Sequence, residues 1–142
     1  MEEKKLAIIA TKGTLDWGYP PFILASTAAA LGYETEIFFT FYGLQLLKKD
    51  LKLEVSPLGN PGMPMPMGMD KWFPVLGTAL PGMQAVMTSM MKKKMASKGV
   101  ASLEELRELS QEADVKLIAC QMTVDLFEMD TSEFIDGVEY AG

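Results

Sequence analysis

A chain of 142 residues, 49% apolar and carrying two tryptophans, is long enough to bury a sizeable core in one domain. Its net charge of −6 argues against a nucleic-acid surface, and its apolar stretches at 22–31 and 38–47 fall short of the roughly 20 residues of a membrane span. With no histidine and one cysteine, the usual zinc and haem sites, a Cys–His dyad and a Ser–His–Asp triad are excluded within one chain, so no metal or other cofactor is expected.

Met1-Glu2-Glu3-Lys4-Lys5 reads as no signal peptide, because it runs straight into Leu6-Ala7-Ile8-Ile9-Ala10. That apolar run suits a strand covered on both faces. Thr11 to Asp16 forms the turn after it. A helix is predicted from about Asp16 or Gly18 to Leu31, with Pro20 and Pro21 in its first turn and Gly32 ending it. Tyr33 to Phe39 gives a second strand. Tyr42 to Lys49 reads as a short helix whose basic end complements its dipole.

Residues 56–82 form a Met/Pro/Gly-rich stretch in which regular structure is not expected. A loop of that length inside a domain is usually functional or mobile. Beyond it, Gln84 to Ala96 carries Met87, Met90, Met91 and Met95 at helical spacing and ends in Lys92-Lys93-Lys94. Nine of the twelve methionines lie between 63 and 95, which suits either core filling or an adaptable contact surface. Ser102-Leu103-Glu104-Glu105 is a capping box, and its helix directs Leu103, Leu106 and Leu109 inward before ending near Ala113. Val115 to Ala119 is an apolar strand, followed by Cys120 and the first turns of a helix from Gln121. A helical turn around 131–135 and a last strand at Val138-Glu139-Tyr140 complete the order. This alternation predicts an α/β fold: a single three-layer domain over 1–142 with a mainly parallel sheet and right-handed crossovers.

Within that fold, Cys120 lies between the carboxyl end of a strand and a helix N-terminus, where α/β proteins place their ligands and where a thiolate is favoured. The competing reading is an inert buried thiol. A single cysteine forms no internal disulfide and suits a reducing cytoplasm. Lys12, Gly13 and Thr14, in the turn after the first strand, share the carboxyl edge with Cys120 and are candidates to line its pocket. Lys12 either stabilises the thiolate or is a solvated loop lysine. Lys12-Gly13-Thr14 lacks the upstream glycines of a phosphate loop. Gln121, Met122 and Thr123 open the following helix and would face an anionic sulfur. Residues 121–142 hold six acidic side chains and no basic one, an acidic cap that is either a solvated face or a selector for basic partners.

The chain resembles the DsrE/DsrF-like proteins, and among them the DsrE2 subgroup that carries a peroxiredoxin-like label. The resemblance runs through Lys12-Gly13-Thr14-Leu15-Asp16 with Tyr19-Pro20-Pro21, Phe38 to Leu44, Gly59-Asn60-Pro61 and Pro81-Gly82-Met83. Most specific are Ala119-Cys120-Gln121-Met122-Thr123-Val124-Asp125-Leu126 and Asp136-Gly137-Val138-Glu139-Tyr140. It implies a DsrE-like fold, assembly into homo-oligomers, and a cysteine, Cys120, that takes up sulfane sulfur as a persulfide and passes it on. TusA-like sulfur carriers and rhodaneses are the implied partners. A thiol peroxidase and a non-catalytic oligomeric binding module are the rival readings. The peroxidase needs an arginine beside its cysteine, and the only arginine is Arg107, on the capped helix.

Overall fold

The computed structural model describes residues 3–54 and 81–142. Most of the stretch at 56–82 therefore lies outside the described residues. The chain gathers into two compact units. One holds residues 1–13, 17–52 and 101–142; the other holds 14–16 and 53–100.

The larger unit is built on four strands: β1 (Lys5–Ala10), β2 (Glu34–Phe39), β3 (Lys116–Cys120) and β4 (Val138–Ala141). They pair in the order β1-β2-β3-β4, and every pairing is parallel. The α/β architecture and the parallel sheet follow the sequence expectation. A parallel pair requires a crossover connection. The first is α1 (Leu15–Ala30), and α3 (Leu103–Glu112) precedes β3. α4 (Gln121–Leu126) and a 3-10 turn at Thr131–Glu133 lie between β3 and β4, while a 3-10 helix at Phe41–Leu47 follows β2.

Strand residues alternate between two faces of the sheet. On one face Thr35, Ile37, Phe39, Leu117 and Ala119 are buried. Phe22 of α1 packs on Phe39 there, with ring centroids 5.9 Å apart. A Cβ on Gly18 would come within 3.0 Å of Leu46 and Leu103, so α1, the 3-10 helix and α3 converge at that residue. The other face carries Ile9, Glu34, Glu36 and Lys116 outward, and Ile9 is 69% exposed. β1 is thus covered on one face rather than two. Its apolar run conceals the alternation, because Ala7 and Ile9 are apolar on the open side.

Two helices differ from expectation. α1 starts at Leu15, so Pro20 and Pro21 fall in its second turn, where two N–H groups are missing from the helical ladder. Gly32 closes the helix as read, with φ +87°, a conformation only glycine adopts readily. In α3 the Ser102 hydroxyl accepts from the Glu105 N–H at 3.2 Å, which is the expected cap. Its inward stripe, however, is Leu103, Arg107 and Ser110, while Leu109 is 50% exposed. The guanidinium takes the inward place because Arg107 Nη1 donates to the carbonyls of Leu46 at 2.9 Å and Lys48 at 2.6 Å, two acceptors at the end of the 3-10 helix.

The smaller unit contains α2 (Met83–Ser97). Met87, Met91 and Met95 are half-buried at a four-residue spacing beside buried Thr88, and Met90 and Val86 face outward. Lys94 lies in the last turn, where a cation suits the helix end. Thr14–Asp16 belong to this unit, and the Leu15 N–H donates to the Glu54 carbonyl at 2.8 Å.

Candidate functional site

β3 ends on Cys120, which is also the N-cap residue of α4, with φ −69° and ψ 110°. An N-cap side chain lies near the N–H groups of the second and third helical residues, here Met122 and Thr123, although the Cys120 side chain makes no capping hydrogen bond. Cys120 is 4% exposed and Thr123 is fully buried. The register Phe39↔Ala119 carries β2 to its end beside Cys120, so the next residue, Thr40, arrives next to the thiol. Its hydroxyl stands 3.2 Å from that of Thr123. The Phe41 N–H donates to the same Thr123 oxygen at 3.4 Å.

These groups act on the sulfur. The Thr123 hydroxyl does most to hold the Cys120 thiol below the ordinary cysteine value. Burial opposes the shift and is outweighed with help from the Thr123 N–H, the Thr40 hydroxyl and the Met122 N–H. All of these groups are uncharged. The thiol is therefore shifted by neutral donors rather than by an ion pair.

Two backbone features shape the approach to Thr40. Its N–H donates to the Ala10 carbonyl at 3.0 Å, and its own carbonyl accepts from Gly43 at 3.0 Å. Gly43 lies so close to the end of β1 that a Cβ there would collide with the Ala10 carbonyl. Between these anchors Phe41 adopts φ +49°, a left-handed conformation uncommon for a non-glycine residue. Phe41 and Tyr42 both lie 6.1 Å from the Phe127 ring, the first edge-on and the second stacked. A cleft of about 460 Å³ opens between this aromatic group and Lys48, Glu128 and Glu133; Cys120 does not line it.

The residues singled out in the sequence are placed as follows. Met122 and Thr123 lie at the thiol through their N–H groups, and Thr123 also through its hydroxyl. The Met122 N–H in addition donates to the Gly142 carbonyl at 3.2 Å. Gln121 turns along α4, and its Nε2 donates to Asp125 Oδ1 at 2.8 Å. Lys12 is exposed, with its ammonium 3.9 Å from the centre of the Trp17 ring, a cation–π contact. Gly13 is required by packing, since a Cβ would strike the Tyr42 carbonyl and come within 2.8 Å of Gln45 Cβ. Thr14 lies in the turn between β1 and α1, in the smaller unit. Arg107 is committed to the Leu46 and Lys48 carbonyls. Sequence reasoning missed Thr40. The signal was available in the strands themselves: setting Ile37 beside Leu117 places Thr40 level with Cys120.

Comparisons with known proteins agree with the resemblance seen in the sequence. The chain is 83% identical over 142 residues to the sulfur carrier protein DsrE2 of Allochromatium vinosum, covering all of this chain and 89% of that protein. It is 33% identical over 147 aligned positions to the uncharacterized protein YrkE of Bacillus subtilis, covering 99% of this chain and 88% of that one. A profile of the DsrE/DsrF/DrsH-like family matches residues 2–142, a span that includes every strand of the sheet and the residues around Cys120. The chain belongs to the DsrE/DsrF/DrsH-like family.

Proposed function

We propose that this protein is a sulfur carrier that accepts sulfane sulfur on Cys120 as a persulfide and delivers it to another protein. The observation that carries the reading is the set of uncharged donors around Cys120, which favours the sulfur anion with no general base beside it among the described residues. The relative named a sulfur carrier, 83% identical over the full chain, supports it. In loading, the Cys120 thiolate attacks the outer sulfur of a donor persulfide R–S–SH. A new S–S bond forms to Cys120, the donor's S–S bond breaks, and its electron pair leaves on the donor as R–S⁻. In delivery an acceptor thiolate attacks the outer sulfur, and Cys120 departs as the thiolate. Neither step has a net oxidant or reductant.

Rhodaneses suit the donor side and TusA-like carriers the acceptor side of such a relay. The six acidic residues Asp125, Glu128, Asp130, Glu133, Asp136 and Glu139 are all exposed, which favours an acceptor with a basic surface around its cysteine. Among the described residues no helix is long and apolar enough to cross a membrane. A reducing cytoplasm is the compartment in which a lone thiol of this kind is kept ready. The reading includes a homo-oligomer, because the open sheet face presents Ile9 at 69% exposure beside half-buried Phe38 and Ile118. Light scattering that finds a monomer at micromolar concentration refutes the assembly alone.

The carrier reading is tested by treating the protein with polysulfide and mapping the adduct by mass spectrometry. A gain of about 32 Da is one sulfur or two oxygens, so only loss of the adduct to a thiol reductant identifies a persulfide. The adduct is expected on Cys120 and absent from Cys120→Ser. A Cys120→Ser protein that still takes up and delivers sulfur refutes the mechanism. Catalytic turnover of peroxide through a thiol-reducible sulfenic acid on Cys120, a gain of about 16 Da, points instead to the peroxidase reading.

A further inference from the structure

We infer that Thr40 is a positioning residue for sulfur transfer: its hydroxyl fixes that of Thr123 with the Thr123 proton aimed at Cys120. The inference rests on the carrier reading only for its purpose; the geometry stands apart from it. Thr123 Oγ1 has two lone pairs and one proton. One lone pair receives the Phe41 N–H at 3.4 Å. The Thr40 hydroxyl lies 3.2 Å away, a separation at which either oxygen can donate; with Thr40 as the donor it fills the second. In that arrangement Thr40 spends its one proton on Thr123 and acts on the sulfur through it, and the Thr123 proton is left for the sulfur.

The polarity of this chain depends on the second lone pair. A neutral Cys120 thiol has a proton of its own to donate, and the Thr123 oxygen is the buried acceptor beside it. Thr40 competes for that place. While Thr40 occupies it, the thiol proton has no acceptor there, and the charged sulfur gains a donor. Without Thr40 the thiol donates to Thr123 and the neutral form is favoured. Neighbouring hydrogen bonds also polarise one another in a buried chain, so the Thr40 donor strengthens the bond from Thr123 to the sulfur.

The backbone explains why Thr40 can hold this position. Its N–H is tied to Ala10 at the end of β1 and its carbonyl to Gly43 in the 3-10 helix, so the residue is pinned between the two. Phe41 then turns with φ +49°, and its N–H points to the same Thr123 oxygen. The benefit falls mainly on delivery. There the Cys120 sulfur is the leaving group, and a thiol with a lower pKa leaves faster.

The test uses Thr40→Val, Thr40→Ala and Thr40→Ser. Cys120 is the only cysteine, so the thiolate absorbance titrates this site directly, without the access problem of alkylating a buried thiol. Thr40→Val is expected to raise the midpoint by about one pH unit, which is roughly a tenfold smaller thiolate fraction below the midpoint. Thr40→Ala gives the same shift and serves should the valine variant not fold. Thr40→Ser, which keeps the hydroxyl, returns the midpoint to the wild-type value. Cyanide takes the outer sulfur of a loaded protein as thiocyanate and releases the Cys120 thiolate, and this single turnover is expected to slow in Thr40→Val. An unchanged midpoint in either folded variant without the hydroxyl overturns the inference, as does Thr40→Ser behaving like Thr40→Val. Failure of the wild type to load sulfur refutes the carrier reading instead and leaves the midpoint comparison intact.

Discussion

Replacing Arg107 by alanine should destabilise the protein far more than loss of a surface arginine would. Both hydrogens of its Nη1 are used, on the Leu46 carbonyl at 2.9 Å and the Lys48 carbonyl at 2.6 Å, and the residue is 6% exposed. Hydrogen bonds to charged groups contribute roughly 1.5–3 kcal/mol each, so the pair contributes about 3–6 kcal/mol before offsets. Burial of the guanidinium takes some of this back. Desolvation lowers the basicity of Arg107, while Glu104 and then Glu108 act in the other direction. Truncation also leaves the buried Leu46 carbonyl and the part-buried Lys48 carbonyl without their donor, at roughly 1–3 kcal/mol for the buried one and less for the other. A net loss of about 3–5 kcal/mol follows, a large share of a total stability of roughly 5–15 kcal/mol. Arg107→Met should recover only the packing of the stem. Urea unfolding of the three proteins, compared at equal slope, measures the loss. A loss below about 1 kcal/mol in Arg107→Ala would put the residue in the range of ordinary surface positions and refute the argument.

Three further outcomes are expected. Because the folded protein lowers the Cys120 pKa below 9.0, ionisation of the thiol adds stability as pH rises from the folded value toward 9.0, and this increment is lost as pH falls through the folded value. The difference in unfolding free energy between wild type and Cys120→Ser should grow with pH over that window, and a constant difference would count against the shift. Gly43→Ala forces a Cβ against the Ala10 carbonyl and should cost about 1–3 kcal/mol, read as a lowered melting temperature; an unchanged melting temperature would show that the turn is looser than described. Sulfur delivery to an acceptor with a basic surface should slow as salt is raised, and salt-independent rates would remove the acidic residues after Cys120 from the encounter while leaving the chemistry untouched.

Much of this fold is legible in the chain because each strand is a short apolar or alternating run bounded by turn residues. The alternation of β2 and the apolar run of β3 carry the parallel pairing, and Ser102 marks the start of α3 by its own chemistry. The junction at Cys120 is legible for the same reason: a strand ends and a helix begins without a residue between them. Other features depend on partners far away in the sequence. Leu109 faces outward because Arg107 satisfies carbonyls about sixty residues earlier, and no periodicity within α3 reveals that demand. Ile9 is exposed although it is as apolar as Ile8, since the pattern of β1 does not show which face is covered. Thr40 was hidden because its role comes from the register between β2 and β3, and a short polar residue after a strand otherwise reads as a turn.

Order in space follows order in sequence across this sheet, yet the connections differ greatly in length. The link from Ala10 to Glu34 is one helix and its turns, and that from Cys120 to Val138 is shorter still, while the link from Phe39 to Lys116 is the longest and includes α2 and α3. Closing the longest link carries the largest entropy cost, and pairings of high sequence separation tend to form late in folding. Thr40 belongs to one side of that late seam and Cys120 to the other. A half-assembled chain therefore lacks the Thr40 hydroxyl beside Cys120, while Thr123, three residues on, is already at hand. The part of the thiol's acidity that Thr40 supplies is thus a mark of completed folding, present only once the last seam has closed.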